Sequence, residues 1–296
     1  MLEVPLSYSI KFRHRGHTTP KDHPTKTICR PDIIATRDSP DTPELLTENL
    51  YWYHVEATGE EDSSNGTEEG QAQEGAYTAY HLQARPDLVS VVGIYTGERD
   101  FTLFFSNAWR VYHTEPVEWS SKEGRQLLYA WIWRLYNPEV DPCINICINP
   151  KGKPTFAIKT NEPGEYDELD ILRVGESIGR RTIMMRRPNP SCKVVIEEQY
   201  IESTRRFREW TVLEAIHKGG RFPGVVRLQS HGGVKNKNGE DICVKSQSST
   251  KIRLKPRVVL KDGGIRLMDI GTPKELLMGV YDLLESEFSS GLLIGF

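Results

Sequence analysis

Residues 171–187, ILRVGESIGRRTIMMRR, and residues 192–202, CKVVIEEQYIE, decide how the chain is read. In the first, apolar and polar residues alternate on either side of Gly175 and Gly179, the pattern of two strands joined by a glycine-bearing turn. The second is one further strand. Residues 205–219, RRFREWTVLEAIHKG, then carry the spacing of an amphipathic helix, and strands follow at 224–233, 242–247 and 252–264. In residues 272–288, TPKELLMGVYDLLESEF, Thr272 is placed to cap a helix and Pro273 fits its first position. Leu276, Leu277, Val280, Leu283 and Leu284 form one apolar stripe on that helix.

Working outward toward the N-terminus, residues 138–168 are rich in Pro, Gly and Asn around one strand, PTFAIKT at 154–160. We place a domain junction there, dividing the chain into residues 1–165 and 166–296. The first unit reads as mixed α/β. Extended segments are expected at 28–36, 51–58, 89–97, 100–107 and 109–119, with helices at 75–87 and 120–138. Ser120 or Ser121 caps the second helix, and Asn137-Pro138 ends it. Residues 56–75, EATGEEDSSNGTEEGQAQEG, hold seven acids and no base, so they are expected to form a disordered, solvated loop.

The chain has 296 residues, of which 38% are hydrophobic and 27% charged, with a formal net charge of −3. That is enough apolar residue to build two cores, and the charge balance gives no general field for holding nucleic acid. Five irregularly spaced cysteines make neither a disulfide framework nor a zinc pair. With no signal-peptide core and no run of 18 apolar residues, the expectation is an intracellular protein, cytoplasmic or nuclear, with no membrane contact. Trp109, Trp119, Trp131 and Trp133 lie in periodic segments and are expected to fill the core. Cys143 and Cys147 share one strand face and are expected to be buried. The segment around His14, His17 and His23 reads as a solvated tail.

In the first unit, Pro31-Asp32 opens a strand and Glu56 lies on a later one. Two carboxylates on neighbouring strands, the second followed by a lysine two residues on, hold Mg²⁺ and orient water in restriction-endonuclease-like folds. Here the triplet is Glu56-Ala57-Thr58, so the lysine is missing. Asp32 and Glu56 are therefore candidates for a decayed metal-dependent nuclease scaffold, the alternative being a plain mixed α/β domain.

The order strand, glycine turn, strand, strand, helix, strands and second helix in residues 171–288 is that of a protein-kinase small lobe running into the large lobe. With residues 106–138, SIGRRT at 177–182, KVVIEEQY at 193–200, RFPGVVRL at 221–228 and residues 260–285, the chain resembles the fungal-type protein kinase family over roughly residues 30–293. The resemblance implies an α+β protein whose second unit is a kinase-like small lobe, a hinge at Leu260, Lys261 and Asp262, and the first large-lobe helix. Intact relatives are expected to use ATP and Mg²⁺ to phosphorylate Ser or Thr.

Three departures bear on activity. The glycine loop reads Ile178-Gly179-Arg180-Arg181-Thr182, with Arg181 where a second glycine would let backbone close over phosphates. Glu197 occupies the position of the phosphate-anchoring lysine, opposite a helix glutamate for which Glu209 is the best match and Glu214 the next. Two unit charges about 4 Å apart interact by about 4 kcal/mol at an effective dielectric near 20, so reversing one sign removes orders of magnitude in nucleotide affinity. No HRD or DFG segment occurs, and the chain reads as truncated before its catalytic loop. Gly179, Arg181, Thr182 and Glu197 are thus a degenerate nucleotide site with no catalytic or metal-binding residue, and no cofactor is expected for this chain. The expected role is an interaction module, with the apolar helix 273–288 meeting a protein partner. A longer product with an intact catalytic loop would instead be a serine/threonine kinase.

Overall fold

The computed structural model describes residues 9–14, 19–38, 50–61, 67–150, 153–160, 164–189, 193–220, 225–247, 250–263, 271–275, 277–278 and 281. The first sheet is built from β1 (Ser9–His14), β2 (Ile33–Asp38), β3 (Val55–Glu61), β4 (Ser90–Thr96), β5 (Asp100–Asn107), β6 (Val111–His113) and β7 (Val117–Glu118). Its order is β1-β2-β3-β4-β5-β6, with β7 also beside β5. All pairings are antiparallel except β3 with β4, which run parallel because helix α1 (Thr67–Ala84) crosses between them. Helix α2 (Lys122–Tyr136) packs Trp131 and Leu135 against Ala35, Ala57, Val92, Ile94 and Leu103. As expected, Ser121 caps α2, accepting from Gly124 N at 2.8 Å.

The acidic stretch 56–75 is not a solvated loop. Residues 56–61 lie in β3, and residues 67–75 form the first half of α1; only 62–66 fall outside the described residues. The sequence places a helix at 75–87, so only the N-terminal part of α1, residues 67–74, reads as loop; the face the helix buries includes polar Glu74, Thr78 and His81, all 0% exposed. It also approaches the sheet on glycines. A Cβ on Gly70 would stand 2.4 Å from the Tyr95 ring, and one on Gly93 would stand 1.9 Å from Glu74 Oε1.

The second sheet contains β8 (Ile144–Ile148), β9 (Pro154–Thr160), β10 (Gly164–Val174), β11 (Ile183–Arg186), β12 (Val195–Glu198), β14 (Leu228–Gly233) and β17 (Pro256–Leu260). Its order is β14-β17-β12-β11-β10-β9-β8, antiparallel throughout. A small third sheet joins β13 (Ile201–Glu202), β16 (Ile252–Leu254) and β15 (Cys243–Lys245). Helix α3 (Glu209–His217) places Leu213 in the cluster with Val195, Val258 and Leu260. Residues 144–160, which the sequence assigned to the first unit, pair directly with β10, so the sheets divide nearer residue 140 than 165. The two units share a buried seam in which Val89, Ala108, Tyr200, Val234, Ile242 and Val244 pack together. The chain is a mixed α+β protein with more strand than helix.

Several local expectations change. Trp131 is buried, but Trp133 is 54% exposed, because α2 turns that face away from its sheet. Cys147 is exposed on β8 and Cys143 partly so. Residues 9–14 are an edge strand rather than a tail, and His23 is buried, bonded to Tyr80 O at 3.0 Å. No helix among the described residues is long and apolar enough to cross a membrane.

Candidate functional site

The turn between β10 and β11 is held from outside. Gly179 has φ 96°, which suits glycine, and its N–H donates to Ala108 O at 2.8 Å in the first unit. Gly175 N donates to Thr182 O at 2.7 Å, closing the turn. Arg181 does not face a phosphate position. It is 2% exposed, and its guanidinium donates to Leu88 O at 2.7 Å, Leu82 O at 2.7 Å and Arg85 O at 2.8 Å. Carbonyls leaving a helix C-terminus lack intrahelical donors and sit at the negative end of the dipole, so a guanidinium is a fitting cap for α1. Arg181 keeps φ 42°, a strained value for a side-chain-bearing residue, and these three bonds hold it there.

Glu197 sits in the middle of the sheet, opposite Met184 on β11 and Val258 on β17. Burial pushes its carboxyl up to about 7, the Glu209 carboxylate adds to the shift, and Arg173 and Arg180 oppose it. Glu209 is the first residue of α3 and accepts from Gln199 Nε2 at 3.3 Å. Glu214 lies elsewhere, 3.3 Å from His231 Nε2. At the expected hinge, Leu260 is buried in β17, and Lys261 N donates to Arg227 O at 2.8 Å. Asp262 takes both arms of Arg227, at 2.7 and 2.8 Å.

Asp32 and Glu56 do not form a pair. The register sets Ile33 opposite Gly59, so the residue before β2 falls beside Glu60; Glu56 is four residues, about 13 Å, further along the strand. Glu60 Oε1 accepts from Asp32 N at 3.3 Å, and Asp32 Oδ2 accepts from Glu61 N at 3.3 Å. Burial, with Asp32 close by, pushes Glu60 up to about 8. Glu74 accepts from Thr58 Oγ1 at 2.7 Å, and complete burial holds it well above the carboxylate range. Glu56 lies 3.2 Å from Arg37 Nε and 3.9 Å from Arg85 Nη1 instead, and burial raises its pKa despite both cations. Among the described residues no three His, Cys, Asp or Glu side chains are arranged to hold a metal ion.

Sequence reasoning missed Glu60 and Glu74, because an unbroken acidic composition hid which carboxyls point inward. It also missed a buried set of four charges. Lys255 Nζ lies 2.6 Å from Asp141 Oδ2 and 3.0 Å from Glu198 Oε2. Arg257 donates to Asp141 Oδ2 at 2.9 Å and to Glu198 Oε1 at 2.6 Å. Two cations and two anions balance, which is what makes their burial tolerable. The only sequence signal was Lys-Pro-Arg within an apolar strand.

Of the apolar stripe on 273–288, Leu276, Val280, Leu283 and Leu284 lie outside the described residues. Leu277, Met278 and Tyr281 are 68%, 58% and 63% exposed. No family model matches the chain, and neither a curated protein nor a solved structure is similar to it.

Proposed function

We propose that this chain is a kinase-like protein that does not transfer phosphate and serves as an interaction module. The order β10, glycine turn, β11, β12, α3, β14, β17 supports the kinase-like reading, since it follows the element order of a protein-kinase small lobe. The feature that supports the loss of activity is the acid Glu197 in β12, whose carboxyl is pushed up by burial first and by the Glu209 carboxylate second. A triphosphate brought to this position meets two acids where it needs a lysine, and Arg181 is committed to three carbonyls behind the turn. Exposed Leu277, Met278 and Tyr281 support a role in meeting another protein.

Thermal shift with Mg-ATP tests the reading. No stabilisation is expected, nor any ³²P transfer to a Ser/Thr peptide pool. Clear stabilisation that disappears in Glu209→Ala overturns it.

A further inference from the structure

The first unit holds a groove of about 620 Å³ beside α2, within the range of small-molecule sites. Its origin is geometric. Val92, Leu103, Phe105 and Tyr112 face the same side of the sheet, because β4 pairs Val92 with Phe105 and β6 pairs Tyr112 with Phe105. Helix α2 covers the part of that face under Trp131 and leaves a strip toward β6 open, with Leu127 and Ala130 as its other wall.

The charge around this apolar trough is one-sided. Arg110 and Arg134 line it and no carboxylate does, in a chain with 41 acids and 38 Lys or Arg. Arg134 is already bonded to Ser90 Oγ at 2.9 Å and Glu139 Oε2 at 2.8 Å. Arg110 is exposed, with its guanidinium 5.8 Å from the Tyr112 ring centre, and it has no ion pair among the described residues. The Tyr112 hydroxyl is buried with no hydrogen-bond partner among the described residues.

We infer that this groove binds a small amphipathic anion, an apolar chain or ring carrying one carboxylate. The apolar body lies over Leu103, Leu127 and Trp131; the carboxylate accepts from Arg110. The apolar trough alone would take any oily molecule, and the arginine selects the acid.

Calorimetric titration of the full chain with dodecanoate, below its micelle concentration, tests this against dodecanol and dodecyltrimethylammonium. Saturable one-to-one binding of the acid is expected, about tenfold tighter than the alcohol, with none of the cation. Arg110→Gln, at an exposed position, is expected to keep the wild-type melting curve and weaken dodecanoate about tenfold. Ala130→Trp, at an exposed position on α2, fills the trough and abolishes binding. Equal affinity for acid and alcohol, or an unchanged affinity in Arg110→Gln, overturns the inference. So does Arg110-dependent pelleting with phosphatidylglycerol vesicles when dissolved dodecanoate does not bind, which would assign the face to a membrane surface. Competition-free binding of an apolar peptide in place of dodecanoate would likewise overturn it.

Discussion

Lys255 donates to Asp141 across 2.6 Å at a point where the two side chains are 3% and 0% exposed, tying the strand entering β17 to the segment between α2 and β8. Asp141 also accepts from Arg257, so one carboxylate serves two cations from the second sheet. Asp141→Ala leaves Lys255 and Arg257 facing Glu198 alone. A loss of about 3–5 kcal/mol is expected from chemical denaturation, the usual effect of stranding a buried charge.

Arg181→Lys separates the structural role of this residue from an electrostatic one. Lysine keeps the charge but cannot reach the carbonyls of Leu82, Arg85 and Leu88 together. Losing two charge-assisted bonds is expected to cost about 3 kcal/mol or more by urea unfolding. Unchanged stability would show that the guanidinium is not the clasp between α1 and the β10–β11 turn.

The raised carboxyls set a pH dependence. Glu60 is pushed up to about 8 and Glu197 to about 7, so the folded state keeps their protons longer than the unfolded chain. Their stabilising effect is complete below the unfolded value of 4.5 and is lost as pH rises through about 7 to 8. Buried His54 and His81, held down to about 4 and about 3, act in the opposite direction only below 6.5. The clean window is therefore pH 6.5 to 8, where the melting temperature is expected to fall. Glu60→Gln should match wild type near pH 4 and exceed it increasingly toward pH 8; a constant difference would rule out Glu60 as the titrating group.

Glu197→Lys places a cation opposite Glu209. Because the site is only partly buried, the gain is expected to stay under about 1 kcal/mol, read as a small rise in melting temperature. Peptide phosphorylation by the variant is expected to remain at background, since a restored ion pair supplies no base for the hydroxyl.

The helix cap gives a local control. Ser121→Ala removes the acceptor for Gly124 N and is expected to destabilise the chain by about 1 kcal/mol, measured by thermal unfolding.

Where local chemistry decided, the sequence was legible. The serine cap and asparagine end of α2, the strand 154–160 and the glycine turn at 175–182 could all be read from residue types and spacing, whereas an acid opposite a helix glutamate at position 197 was what the kinase-family resemblance implied. The N-terminal part of α1, residues 67–74, could not be read this way, because its acidic composition reads as solvated loop and apolar periodicity is silent about the polar residues it turns inward, such as Glu74. The Asp32 partner was misassigned for a related reason: pairing depends on β2–β3 register, and a shift of four residues changes which carboxyl meets Asp32.

By itself the sequence determined many of the strands, helices α2 and α3 and the acid at position 197, because alternation, capping and residue charge act within a few residues, while β1 and the first half of α1 escaped it. Tertiary structure alone decided that Arg181 caps a helix of the other unit, that Asp32 meets Glu60, and that four charges cancel between Asp141 and Arg257. Those are contacts between segments distant in sequence, where burial, not spacing, sets which polar groups must find one another.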